Sequence, residues 1–213
     1  MKASFRHKAV LLLTAAGLLW LLAVGSGSLL MLNYANTPGS QSPSPLQWPQ
    51  DSRIPLDSKL PTLVMFAHPR CPCTRASMGE LARLMACAQG RMRANVLFFK
   101  PGGTVGSWTE TDLWRRAAEI PGVNVAVDEK GRETQRFGVS TSGHTAVYTP
   151  DGRLMFQGGI TAARGHSGDN AGRSAILDLL DQGSAAQTQT PVFGCSILCS
   201  QTTNDRNLPS RAQ

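Results

Sequence analysis

The chain has 213 residues, 41% hydrophobic and 16% charged, which suits one globular domain of ordinary size with additional segments and excludes a wholly disordered or collagen-like polymer. The formal net charge is +7; with Lys2, Arg6 and Lys8, which precede a long apolar run, set aside, a net +4 remains for residues 33–213, too small and too scattered an excess to suit nucleic acid. Five cysteines, Cys71, Cys73, Cys87, Cys195 and Cys199, are too few for a disulfide-built miniprotein. Their odd count leaves at least one thiol free or paired outside the chain.

Residues 1–8 form a basic flank, and residues 9–32 (AVLLLTAAGLLWLLAVGSGSLLML) carry no charge. At about 1.5 Å per residue this run is long enough to cross a hydrocarbon core of about 30 Å, and it exceeds the apolar region of about 7 to 15 residues in a secretory signal peptide. An uncleaved anchor is expected, with a weak alternative cut near Gly25 to Ser28. The basic flank places the amino terminus in the cytoplasm and the rest of the chain in an oxidising compartment where disulfides persist. The expected location is a membrane crossed once, with the domain on the side away from the cytoplasm.

Residues 33–60 follow. From Asn36 to Leu60 they hold five prolines and many small polar side chains, a composition expected to give an extended tether. The domain is predicted over 61–182. Thr62 to Ala67 (TLVMFA) reads as a strand buried on both faces and ends at HPRCPC. A helix follows, with Met78, Leu81, Met85 and Ala88 at helical spacing and Gly90 closing it. Next come a buried strand at Asn95 to Phe99, a helix from about Thr109 to Glu119 with a capping-box pattern of Ser107 and Glu110, and a strand at Val123 to Val127. This alternation implies parallel pairing. Thr145 to Thr149 and Leu154 to Gly158, joined by Pro150-Asp151-Gly152, form a hairpin, and Arg173 to Leu180 closes the domain as a helix. Residues 183–213 are a polar tail interrupted by the apolar island PVFGCSILC, which carries Cys195 and Cys199.

This order, with FAHPRCPCTRASMGEL at residues 66–81, resembles the thioredoxin superfamily and specifically its membrane-anchored TlpA-like and ResA-like branch. Against that branch's Phe-Trp-Ala-x-Trp-Cys-x-x-Cys-Arg-x-x-x-Pro-Glu-Leu, Cys71 takes the nucleophilic cysteine and Thr74 takes the second. Arg75, Glu80 and Leu81 match directly, and Cys73 falls between the two motif positions. The second matching segment is residues 128–160, where His144 replaces the usual cis-proline. The resemblance implies an α/β, three-layer thioredoxin-like sandwich with a mixed central sheet, preceded by one transmembrane helix. It also implies thiol-disulfide exchange through Cys71 on extracytoplasmic protein thiols or disulfides, and a bacterial inner membrane as the location, with a single pass and the domain facing the periplasm. No flavin, nicotinamide or haem attachment pattern is visible, and no cofactor is expected.

Cys71 ends a strand and opens a helix, where unpaired N–H groups and the helix dipole favour a thiolate; Arg70 and Arg75 add positive charge. The site expected from sequence is Cys71, Cys73, His144, Arg70 and Thr74, with the resolving cysteine left open. In this fold His144 should lie close to Cys71, as an ion-pair partner or proton carrier. Two thiolates and an imidazole also suit Cu(I), so a copper-binding or copper-delivery module built on Cys71, Cys73 and His144 is the alternative. A thiol peroxidase also needs one acidic cysteine, but the Pro-x-x-x-Thr/Ser-x-x-Cys pattern is missing. Cys87 is expected to pack in the core. Cys195 and Cys199 could resolve Cys71, bind metal or pair with each other. His68 reads as a loop residue. Arg164, His166 and Asp169, in the glycine-rich loop 161–172, could border the site, with Asp169 or Asn170 near a helix cap.

Overall fold

The computed structural model describes residues 2–104 and 107–197. It divides into two compact units, Met1–Thr37 and Pro38–Gln213. The first is a single helix, α1 (Lys2–Asn36), of which Val10–Asn36 is long and apolar enough to cross a membrane.

In the second unit, strands β1 (Thr62–Ala67), β2 (Arg93–Lys100), β3 (Val123–Glu129), β4 (Thr145–Tyr148) and β5 (Leu154–Gly158) form one sheet in the order β3-β2-β1-β4-β5. The β1–β2 and β2–β3 pairs are parallel and the β1–β4 and β4–β5 pairs antiparallel, so the sheet is mixed as expected. Helices α2 (Thr74–Ala88), α3 (Asp112–Ala118) and α5 (Ala171–Gln182) cover one face; the short α4 (Arg132–Arg136) precedes Phe137 on the other. Strand alternation divides the core accordingly. Leu63, Met65 and Ala67 meet Leu81, Leu84 and Ile176, whereas Val64 and Phe66 meet Ile54, Phe137 and Tyr148.

Several local expectations change. The helix expected from Thr109 begins at Asp112 with Thr111 as N-cap and no side-chain cap; Ser107 instead accepts the Glu110 N–H through its carbonyl at 3.0 Å. Cys87 is exposed rather than packed, because it is rotated about 100° from Ala88 and falls outside the stripe of Leu81, Leu84 and Ala88. Asn170, not Asp169, caps α5, accepting the Arg173 N–H at 2.8 Å.

The largest differences are in the two flanking segments. The proline-rich stretch is not a loose tether from Pro38 onward. The Trp48 ring meets Phe137 and Tyr148 edge-on, with centroids 5.2 and 5.1 Å away. The Trp48 N–H donates to the Gly152 carbonyl at 2.7 Å and the Tyr148 hydroxyl to the Pro45 carbonyl at 3.0 Å. Apolar anchors thus outweigh the entropy that proline and serine content suggests. The start of the polar tail is also part of the fold. The Thr188 carbonyl accepts the Gln157 N–H at 2.9 Å, the Val192 carbonyl accepts the Gly39 N–H at 2.8 Å, and Val192 and Ile197 are fully buried. Cys199 lies outside the described residues.

Candidate functional site: a buried three-thiol cluster

The chain leaves β1 at Ala67 and turns through His68-Pro69-Arg70, with the Cys71 N–H donating to the His68 carbonyl at 3.1 Å. Three successive bonds between residues three apart, from Thr74 to Cys71, Arg75 to Pro72 and Ala76 to Cys73, wind the motif into α2. Cys71 therefore lies where a parallel strand hands over to a helix, and it is only 2% exposed.

A long-range contact completes the site. The Sγ atoms of Cys71 and Cys195 are 2.8 Å apart, and those of Cys71, Cys73 and Cys195 all lie within 4.8 Å of one another. Cys195 is delivered by backbone pairing: its carbonyl accepts the Ser142 N–H at 2.8 Å, the Ile197 N–H donates to the Ser140 carbonyl at 2.9 Å, and Thr141 bridges Ser196 antiparallel. Gly194 makes this approach possible, since a Cβ there would stand 1.9 Å from the Ser142 carbonyl oxygen. The strap runs from residue 188 to residue 197, first beside Gln157 of β5 and then, from Cys195 to Ile197, along residues 140–142 before β4.

Burial pushes the Cys71 thiol up, but hydrogen bonds outweigh it and hold the thiol below its ordinary value. The donors are the Cys195 and Thr74 side chains and the backbone N–H groups of the same two residues. The Thr74 hydroxyl is itself part of a chain. Its Oγ1 lies 2.8 Å from Ser142 Oγ, which accepts the His68 N–H at 2.8 Å. With His68 donating to Ser142, the Ser142 hydroxyl is free to donate to Thr74 and the Thr74 hydroxyl to a Cys71 thiolate, each bond polarising the next.

The other two thiols respond in the opposite sense. Burial and then the negative charge on Cys71 push Cys73 up. Burial and the hydrogen bond to Cys71 push Cys195 up to about 12, with Arg164 opposing in both cases. Of the three thiols, Cys71 is thus the one that ionises first, with Cys73 and Cys195 holding their protons to higher pH.

Arg164 does border the site, as the loop position suggested, donating through Nη1 to the Gly194 carbonyl. Its loop is tied down by Glu80, whose fully buried carboxylate pairs with Arg83 and Arg173 and accepts the Gly168 N–H at 2.8 Å and Asn170 Nδ2 at 3.2 Å. Asp169 faces solvent in an ion pair with Arg173, and His166 is exposed.

Two expected site residues are turned elsewhere. The Arg70 guanidinium lies over the Trp108 ring, 3.6 Å from its centroid, so its expected charge beside the sulfur is replaced by the Thr74 and Cys195 donors. His144 is 2% exposed, its Nε2 is 3.0 Å from Ser44 Oγ, and burial holds its pKa down at about 4. The reason is strand alternation. His144 pairs with Phe66, its carbonyl accepting the Phe66 N–H at 2.9 Å, which puts its side chain on the Phe66 face, opposite α2. A neutral imidazole bonded to Ser44 does not supply the ion pair expected for Cys71, and Cys195 fills the third position of the thiol cluster. Arg75 pairs with Asp112 at 2.6 Å. Sequence reading overlooked Ser142; an isolated serine four residues after Gly138 carries no signal.

No protein-family model matches the chain, and no curated protein matches it. Solved structures do. A hypothetical protein from Sinorhizobium meliloti is 19% identical with a TM-score of 0.53, covering 76% of this chain and 94% of that one. An uncharacterized conserved protein from Geobacillus kaustophilus is 20% identical with a TM-score of 0.54, covering 76% and 92%. The exposed lipoprotein thioredoxin of Streptococcus pneumoniae is 18% identical with a TM-score of 0.43, covering 59% and 86%. The strand order β3-β2-β1-β4-β5, its mixed pairing and the cysteine at the β1–α2 junction make the fold thioredoxin-like, a mixed five-stranded sheet with helices, joined in sequence to one apolar helix that is able to span a membrane.

Proposed function

We propose that the chain is a membrane-tethered thiol-disulfide oxidoreductase whose domain lies in the periplasm of a bacterium, held to the inner membrane by α1, and that it exchanges disulfides with extracytoplasmic proteins through Cys71. The observation that carries this reading is the placement of Cys71 at the start of a helix, with the Cys195 sulfur 2.8 Å away and that of Cys73 within 4.8 Å; the hydrogen bonds that hold its thiol below the ordinary value agree with it. A thiolate is the attacking species in exchange.

In the reducing direction the Cys71 thiolate attacks one sulfur of a substrate disulfide. A Cys71–substrate bond forms, the substrate S–S bond breaks, and the second substrate sulfur leaves as a thiolate that takes up a proton. The donors around Cys71 favour the anion before attack. They favour it again when Cys71 is the leaving group, so they assist both directions of exchange. Thr74 and the Cys195 N–H are the groups assigned to this task.

The test is to incubate the reduced full-length chain, in detergent micelles, with glutathione disulfide and to locate the adduct by peptide mass mapping. Oxidation at Cys71, as a glutathione adduct or as an internal disulfide that includes Cys71, and its loss in Cys71→Ser are the expected results; an adduct confined to the exposed Cys87, with Cys71 still a free thiol, would refute the reading.

The three mutually close sulfurs also favour a second reading, a Cu(I) site made by Cys71, Cys73 and Cys195 in place of the Cys71, Cys73 and His144 set. Three soft thiolates fit that ion, and loading would release protons from Cys73 and Cys195. Uptake of one Cu(I) per chain, lost in Cys195→Ser and kept in His144→Gln, would support it.

A further inference from the structure

We propose that Cys195 is the thiol that resolves Cys71, so that the working redox couple of this chain is a bridge between the helix-opening cysteine and a cysteine carried by the carboxyl-terminal strap. The inference rests on exchange at Cys71 and adds the identity of its partner.

Three observations carry it. The Cys71 and Cys195 sulfurs are 2.8 Å apart, against about 2.05 Å in a formed bond, so only a small movement separates the two states. The strap that holds Cys195 is anchored on both sides of it, by Val192 to Gly39 and by Cys195 and Ile197 to Ser142 and Ser140. The third observation concerns the competitor. The Cys73 sulfur is also within 4.8 Å of that of Cys71, but the two residues stand two apart in a helical turn, Cys73 having φ −64° and ψ −30°, a spacing at which side chains do not face each other. Joining them would require unwinding the turn closed by the Thr74-to-Cys71 and Ala76-to-Cys73 bonds.

Exchange then balances as follows. After a substrate disulfide has captured Cys71, the Cys195 thiol gives its proton to water and its sulfur attacks Cys71 Sγ. The Cys71–Cys195 bond forms, the Cys71–substrate bond breaks, and the substrate sulfur leaves as a thiolate that is protonated. Two thiols of this chain are oxidised and one substrate disulfide is reduced to two thiols; with an oxidised chain the same steps run backwards. Cys73 is a bystander in this scheme.

The experiment uses the full-length chain in detergent micelles, reduced, exposed to glutathione disulfide, quenched with acid, alkylated and mapped for every cysteine pair. The expected product is a Cys71–Cys195 bridge with little glutathione retained. Cys195→Ser, which keeps the backbone bonds of the strap, should retain about tenfold more glutathione on Cys71 because the internal thiol that expels it is gone, and Cys87→Ser, at an exposed thiol outside the cluster, should behave as the unaltered chain. A bridge mapped to Cys71–Cys73 or Cys195–Cys199, or a Cys71 adduct cleared equally fast in Cys195→Ser, overturns the pairing and leaves exchange at Cys71 standing. Absence of any Cys71 adduct or bridge in every variant overturns both.

Discussion

Thr74 stands where the related pattern has its second cysteine, and its hydroxyl donates to the sulfur that should do the chemistry, so Thr74→Val is the most informative single change. Valine keeps the shape and removes the hydroxyl. The Thr74 N–H and both Cys195 donors remain, so one of four donors to Cys71 is lost while the burial that opposes ionisation is unchanged. A hydrogen bond to a charged group contributes about 1.5–3 kcal/mol, and about 1.4 kcal/mol corresponds to one pH unit, so the Cys71 midpoint should rise by about one to two pH units. Ser142 would lose its Thr74 partner but still accept the His68 N–H, which keeps the turn before β4 intact. The assay is the rate of iodoacetamide labelling against pH, read at the Cys71 peptide by mass spectrometry so that Cys195 can stay in place. The unaltered chain should give a midpoint below the ordinary thiol value of about 8.5. An unchanged midpoint in Thr74→Val, with unfolding behaviour like that of the unaltered chain, would refute the argument that side-chain donors rather than helix position set the acidity.

Other changes probe the neighbouring elements. Gly194→Ala places a Cβ against the Ser142 carbonyl and should lift the strap, raising the Cys71 midpoint as the Cys195 donors withdraw; mapping the same labelling curve checks it, and no change would mean that the strap does not act on Cys71. His144 is depressed from 6.5 to about 4, so the unfolded chain binds the extra proton first and stability should fall as pH drops from about 6.5 to about 4, by about 3 kcal/mol. Denaturant unfolding followed by tryptophan fluorescence across that range should show this slope, and His144→Gln should flatten it; equal slopes in both proteins would contradict a buried neutral imidazole. The full-length chain should stay in the membrane fraction after a high-salt wash, as an apolar helix of the length of Val10–Asn36 requires; release of a shortened soluble form would mean that the helix is cleaved.

Periodicity and local chemistry alone carry much of this protein. Two buried strands read as unbroken apolar runs, α2 as a stripe of Met78, Leu81, Met85 and Ala88, the hairpin as Pro-Asp-Gly, and Cys71 as a thiol at a strand-to-helix junction. Each of these is decided within a window of a few residues, where side-chain period and turn geometry dominate. What surrounds that thiol is another matter. Cys195 is 124 positions away, and its place beside Cys71 follows from backbone pairing with residues 140–142 and from a glycine that lets two chains approach; neither leaves a pattern in the local sequence. The segment from Pro38 has the composition of a tether, yet Trp48 and Ile54 bury it against the sheet, because a few large apolar contacts offset the ordering entropy of the polar residues between them. Strand parity, set by the pairing of Phe66 with the residue just before β4, sends His144 to Ser44 and away from α2. The thiol at the strand-to-helix junction was therefore written in the linear chain, while its neighbouring sulfur, its donors and its cover were decided by pairing between distant segments, where long-range hydrogen bonds and close packing select the neighbours.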